Sequence, residues 1–192
     1  MAKKRIYILL GHPDKDTTSG LFVSEYERGA REAGHEVRRT NLGDLSFDPI
    51  LHKGYKVIQE LEPDLLMVQE NIKWSEHFVI FYPAWLSTMP ALLKGMFDRM
   101  WLPDFAFHFS PGKLGWRRLL KGRTARVFVT SDTHPILARL IFGDSTNEIK
   151  LGVLWFAGFK ARVKKIGPMR NITPERRLSW ARRIYKFGKR AY

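Results

Sequence analysis

The hydrophobic pattern is sharpest between Phe78 and Trp101. Phe78-Val79-Ile80-Phe81-Tyr82 is uninterruptedly apolar, β-branched or aromatic, which predicts a short strand covered on both faces. Pro90 to Trp101 reads as a helix, with Pro90 at its first position and Leu92, Leu93, Met96, Phe97 and Met100 on one apolar face. Between them, Pro83-Ala84-Trp85-Leu86-Ser87-Thr88-Met89 forms a loop at the carboxyl end of a strand. In an open α/β sheet, ligands bind there.

Similar units recur along the chain. Arg5 to Leu10 predicts the first strand, Gly11 to Ser19 a hydroxyl-rich loop, and the next stretch a helix capped by Thr18 or Ser19. Leu21, Phe22, Tyr26 and Ala30 mark its inner side, and Gly34 its end. The bare N–H groups and positive dipole end of such a helix favour an anion, with the hydroxyls as further donors. Neither G-x-G-x-x-G nor G-x-x-x-x-G-K-[ST] is present, so an ordinary cap with a surface histidine is the favoured reading of the loop taken alone.

His35 to Thr40 holds one strongly apolar residue and predicts a strand near the sheet edge. Asn41 to Leu61 has no clear period, and Pro63 to Trp74 predicts a helix leading into the strand at Phe78. Phe105, Phe107 and Phe109 alternate with Ala106, His108 and Ser110, which predicts an extended piece with three aromatics on one face. That face suits a packed edge, a subunit contact or the wall of a flat ligand. Ala125 to Val129 predicts a fourth strand, followed by Thr130-Ser131-Asp132-Thr133-His134-Pro135, where Asp132 reads as a cap or turn residue. Ile136 to Phe142 predicts a helical turn, Glu148 to Ala157 a helix ended by Gly158, and Arg162 to Gly167 a fifth strand. Thr173-Pro174-Glu175 opens a last helix, with Leu178, Ala181, Tyr185 and Gly188 as its buried side.

Five strands alternating with helices predict a flavodoxin-like doubly wound parallel sheet in the order 2-1-3-4-5 with helices on both faces. That order sets the loops after the first and third strands across one crevice, beside the loop after the fourth. The length of 192 residues suits one domain, spanning 1–192. The absence of cysteine excludes disulfides and thiolate metal sites; no metal is expected. Ile6 to Leu10 is too short for a secretory signal or a membrane span, so a soluble cytoplasmic protein is expected.

Charge changes the picture at the carboxyl end. Residues 1–111 hold 13 Lys or Arg against 15 Asp or Glu, and residues 112–192 hold 20 against 4. Such a basic region suits a solvated face, an anionic cofactor, an anionic membrane surface or nucleic acid. No helix-turn-helix, zinc or RNP signature accompanies it, which disfavours nucleic acid.

One family gathers these pieces. Gly11-His12-Pro13 with Thr17 and Ser19, Asn41-Leu42 with Phe47-Asp48-Pro49, Pro83-Ala84-Trp85, the block Pro90 to Arg99, Phe105-Ala106-Phe107 and Gly158-Phe159 together resemble the flavodoxin-like NAD(P)H quinone oxidoreductases. That family includes DT-diaphorase and the bacterial modulator-of-drug-activity type. The resemblance implies FMN, with FAD as the other family cofactor, and hydride transfer from NADH or NADPH through the flavin to a quinone-like acceptor in ping-pong fashion.

By the same resemblance, His12, Thr17, Thr18 and Ser19 would hold the flavin phosphate. Pro83, Ala84, Trp85 and Leu86 would lie along the ring, with backbone N–H groups at Trp85 and Leu86 supporting its charge. Thr130, Ser131, Asp132 and Thr133 would border its pyrimidine edge. Asp132-Thr133 stand where DT-diaphorase has a glycine pair, and its Tyr and His relay residues have no counterpart. A homodimer is expected. The family also contains flavin-bearing ancillary subunits of membrane transporters, the alternative reading, in which the basic region contacts an acidic protein or an anionic membrane surface.

Overall fold

The apolar runs become the strands of one parallel sheet. The structure is a computed structural model and describes residues 2–191 other than 58, 111 and 113. The strands are β1 (Arg5–Leu10), β2 (Glu36–Asn41), β3 (His77–Pro83), β4 (Phe107–His108), β5 (Arg117–Arg118), β6 (Thr124–Thr130) and β7 (Lys160–Ile166). Five of them form a sheet in the order β2-β1-β3-β6-β7, with all four neighbouring pairs parallel. This is the flavodoxin-like order, and it leaves β2 and β7 at the edges. The strands β4 and β5 make a separate antiparallel pair.

Alternation along the strands divides the core in two. Ile6, Ile8 and Leu10 point to one side with Val79 and Phe81, against Phe22, Val23 and Tyr26 of α1 (Thr18–Glu32) and Ala181 and Ile184 of α5 (Pro174–Arg190). Tyr7, Leu9, Phe78 and Ile80 point to the other, against α2 (Pro63–Trp74), α3 (Ala91–Met100) and a π-helix at Glu148–Trp155. The helices α1 and α5 meet at Gly29 and Gly188. A Cβ on Gly188 would lie 2.1 Å from the Tyr26 carbonyl oxygen, so a side chain there would force the pair apart. Among the described residues, no helix is long and apolar enough to cross a membrane.

Several local expectations are corrected. Thr17, not Thr18 or Ser19, caps α1: its backbone is extended, and Oγ1 accepts from Gly20 N at 3.2 Å. Leu21 points outward, and Val23 takes the inner position. Pro90 precedes α3 as its cap, because its ψ of 142° is extended, and Trp101 follows the helix. The three phenylalanines do not share a face. Asp104 turns the chain at φ 66°, so Phe105 enters the core against Trp101 while Phe107 and Phe109 pack on Phe156.

Farther along, Ile136 to Phe142 belongs to a full helix, α4 (Pro135–Phe142), capped by His134 rather than Asp132. The helix at Glu148 has π geometry. On α5, Leu178 and Tyr185 stay out of the core, and Ile184 is the buried residue that the sequence pattern passed over. Lys113, in the basic region 112–192, lies outside the described residues.

The polar 42–62 segment, with short 3-10 turns at Leu42–Asp44 and Gly54–Lys56, packs Leu42, Leu45, Phe47 and Leu61 on the core and is tied to α3 by one buried side chain. Arg99 is fully buried; its guanidinium donates to both carboxylate oxygens of Glu62 at 3.0 Å, to Glu60 O at 2.7 Å and to Asp48 O. Burial alone would raise the Glu62 carboxyl, but the Arg99 hydrogen bonds prevail and hold it below its ordinary value. Arg99→Met should cost about 3 kcal/mol or more, because it leaves the carboxylate without its cation and two carbonyls without donors. Thermal denaturation should then occur on the order of 10 °C lower, with Arg99→Lys recovering less than half, since an ammonium cannot reproduce the fork.

Candidate functional site

Three loops leave the carboxyl ends of β1, β3 and β6 and converge. The first runs over Gly11 to Thr17. Gly11 N donates to Phe81 O at 2.7 Å, which sets the start of this loop beside the end of β3. His12 Nδ1 accepts from Asp14 N at 2.9 Å, so a neutral ring carries its proton on Nε2 as an outward donor. Thr17 Oγ1 serves the cap and keeps its O–H to give. Thr18 begins the helix half-exposed, and the first turn holds no acidic residue to compete for an anion. Ser19 is different: it is buried, and its hydroxyl lies 3.2 Å from Thr130 Oγ1 beneath the loop. On the flank, Gly43 packs on Pro13, where a Cβ would meet the carbonyl oxygen at 1.7 Å, and Lys15 pairs with Asp44 at 3.1 Å.

The second loop follows β3. Ala84 N donates to Thr130 O at 2.7 Å, so Pro83 and Ala84 continue the line of the sheet. Trp85 and Thr88 exchange backbone hydrogen bonds of 2.9 and 3.0 Å around a two-residue tip, Leu86-Ser87. Both tip residues have positive φ, 46° and 68°, where side chains are strained and glycine or asparagine is usual. The Trp85 N–H is therefore spent inside the turn, which corrects its expected role as a free donor to a ring. The Trp85 side chain is half-exposed and meets His12 edge to face, ring centres 5.5 Å apart. Leu86, at the tip, is fully exposed.

The third loop is tied down by its neighbours. Ser131 N donates to Ile166 O at 3.0 Å, and its hydroxyl to Thr133 O at 2.8 Å, while Asp132 stays exposed. Thr130 is buried. Ala84, Leu86 and Ser87 share a pocket of about 210 Å³ with Ser131, Asp132 and Thr133. The twelve expected residues thus lie in the loops at one end of the sheet, ten of them at least partly exposed and two, Ser19 and Thr130, buried and bridged by their hydroxyls.

A second cavity, of about 900 Å³, is lined by none of the twelve. Phe97, Trp101, Phe107, Phe109 and Phe156 wall it, with Lys94, Asp98 and Glu148 as polar members. Thr88 Oγ1 donates to Glu148 Oε2, which joins this cavity to the second loop. Glu148 Oε1 is buried with no hydrogen-bond partner among the described residues. Sequence reasoning passed over Glu148; the available signal was its rarity, as one of four acids in residues 112–192.

Residues 4–161 match the family described as having a flavodoxin-like fold. The chain belongs to this family. Ribosyldihydronicotinamide dehydrogenase (quinone) of Mus musculus is 22% identical over 98% of this chain and 94% of its own. An NAD(P)H:quinone oxidoreductase from Methanothermobacter marburgensis superposes with a TM-score of 0.82 at 24% identity, covering 98% of each chain. An FMN-dependent NADH-azoreductase from Bacillus anthracis, solved in complex with FMN, has a TM-score of 0.73 at 16% identity, covering 98% of this chain and 99% of its own.

The strain at the tip of the second loop can be measured. Leu86→Asn with Ser87→Gly places the preferred residues at both positive-φ positions and should stabilise by about 1 kcal/mol, raising Tm by roughly 2–4 °C in a thermal melt. An unchanged or lower Tm would show that the turn is not strained.

Proposed function

We propose that this NAD(P)H oxidoreductase of the flavodoxin-like class works through bound FMN and passes a hydride from NADH or NADPH to a quinone-like acceptor. The observation that carries the reading is the meeting of the three loops: a helix whose first turn holds no acid, an exposed tryptophan against His12, and a polar rim at Ser131 to Thr133. That donor set fits a phosphate at one end and a flat ring at the other.

In this reading His12 Nε2, the hydroxyls of Thr17 and Thr18 and the first N–H groups of α1 hold the phosphate. Pro83, Ala84, the Trp85 side chain and Leu86 lie along the ring. Ser131, Asp132 and Thr133 face its polar edge. Ser19 and Thr130 act beneath, holding the first and third loops at a fixed separation. When bound, the flavin supplies a carrier that takes up the hydride and releases it to the acceptor. The protein's part is to leave one ring face open for the nicotinamide and then for the acceptor, and to keep reacting atoms about 3–3.5 Å apart. FMN is preferred to FAD because the three loops account for one phosphate and one ring.

A homodimer belongs to the same reading. The wide aromatic cavity and the exposed Phe109, Leu151 and Trp155 offer an apolar face to a second copy. Sedimentation velocity at micromolar concentration should give twice 22.4 kDa.

Purified chain mixed with FMN and desalted should keep a visible flavin band that bleaches anaerobically on adding NADH or NADPH. Trp85→Ala should weaken FMN binding by about tenfold. Initial rates at varied acceptor should give parallel double-reciprocal lines. Chain that retains neither FMN nor FAD refutes the flavin reading, and converging lines refute the ping-pong order.

A further inference from the structure

The least expected surface lies on α4. Its sequence Pro-Ile-Leu-Ala-Arg-Leu-Ile-Phe is apolar nearly all round, a composition that normally marks a buried helix, and yet none of its residues is buried. Ile136 is 67% exposed, Leu137 50%, Leu140 79%, Ile141 60% and Phe142 58%. Ile136 with Leu140, and Leu137 with Ile141, stand one turn apart, so these four side chains form a continuous apolar ridge over a helix about 12 Å long, while Phe142 turns with Ala138 toward the pocket at Ala84 and Ser131. Polar environments do not select such a helix.

The rim of the ridge is cationic. Arg139 lies on α4 itself, and Ile136, Arg139 and Leu140 share a cleft with Lys150, Arg162 and Lys165. The one acid lining that cleft, Asp144, is engaged: it accepts from Thr146 Oγ1 at 2.7 Å and pairs with Lys165 at 3.0 Å. These bonds, Thr146 first, outweigh burial and hold its carboxyl down at about 2, so it stays ionised and paired.

We infer that α4 and its cationic rim dock the protein on an anionic lipid bilayer, with Ile136, Leu137, Leu140 and Ile141 entering the headgroup and upper acyl region. Both halves of the surface are then satisfied, the ridge by acyl chains and the rim by lipid phosphates. Charge selects this occupant over a second copy of the chain: self-association through α4 would bring two cationic rims together in a molecule of net charge +14. The helix is far too short to span the bilayer, so the attachment is peripheral and reversible.

The ridge also adjoins the candidate site. Pro135, Ala138 and Phe142 line the pocket that Ala84, Leu86 and Ser131 to Thr133 share. Docking would set the mouth of that pocket at the membrane surface; on the oxidoreductase reading above, and only there, an acceptor dissolved in lipid becomes accessible.

Vesicle co-sedimentation of the full chain tests the docking without any readout of activity. Vesicles of phosphatidylcholine containing about one-third phosphatidylglycerol should retain the protein at low salt, and those of phosphatidylcholine alone should not. Ile136→Glu with Leu140→Glu should weaken retention at least about tenfold, and Arg139→Glu with Lys150→Glu similarly. All four positions are exposed, so circular dichroism and Tm should stay as in the parent chain. Equal retention on both vesicle types, undiminished retention of the apolar variant, or no retention of the parent chain overturns the proposal. A parent that ignores vesicles and loses self-association in the Ile136→Glu, Leu140→Glu variant assigns α4 to a subunit contact instead.

Discussion

The buried guanidinium of Arg99 sets the terms for one side of this molecule. A desolvated cation needs partners for its donors, and here a carboxylate from Glu62 and the carbonyls of Asp48 and Glu60 engage both terminal nitrogens, while Nε has no hydrogen-bond partner among the described residues. All three partners come from the segment that links β2 to α2, which has little regular structure of its own. The same α3 scaffold follows the strained loop at Trp85 and borders the aromatic cavity, so the position of both surfaces depends on α3 being seated correctly. A charge in the core thereby does the positioning that hydrophobic contacts, which have no direction, could not do alone.

How much of this was readable beforehand follows from what sequence pattern can encode. The strands β1 and β3 and the helices α2 and α3 were legible to within a residue or so, because uninterrupted apolar runs end at Pro or Gly and the helices repeat at the right spacing. Sheet order followed from the alternation of strand and helix. Periodicity records only polarity, however, and so Arg99, a charged residue on the inner face of α3, gave no sign of burial. Alternation misled at Phe105 to Phe109, where a left-handed Asp104 breaks the run and sends Phe105 inward. At α4, the sequence suggested a helical turn, and the structure shows a full helix, none of it buried.

At the candidate site the loops were legible but the duties of single atoms were not. Loop positions derive from topology, which is a global property that strand count and order decide. Which hydroxyl caps, which one bridges and which one faces outward depends on a few dihedral angles. Thr17, Thr18 and Ser19 are chemically alike in sequence, yet they divide into a cap, an open hydroxyl and a buried bridge to Thr130. Trp85 was expected to act through its N–H, and the tight turn consumes that group, leaving the indole as the exposed feature.

The edge strands have a consequence for how copies of this chain can meet. Lys160, Arg162 and Lys164 stand exposed along one face of β7, and β2 at the opposite edge carries Glu36 and Arg38 exposed in the same way. Unpaired strand edges invite another strand, and charge set along them makes such pairing unfavourable. Sheet extension from one molecule to the next, the route to runaway polymerisation, is therefore opposed at both ends. Any closed assembly has to be built from helices and loops, which leaves the ligand-facing ends of β1, β3 and β6 to be shaped by what packs around them and not by a neighbouring sheet.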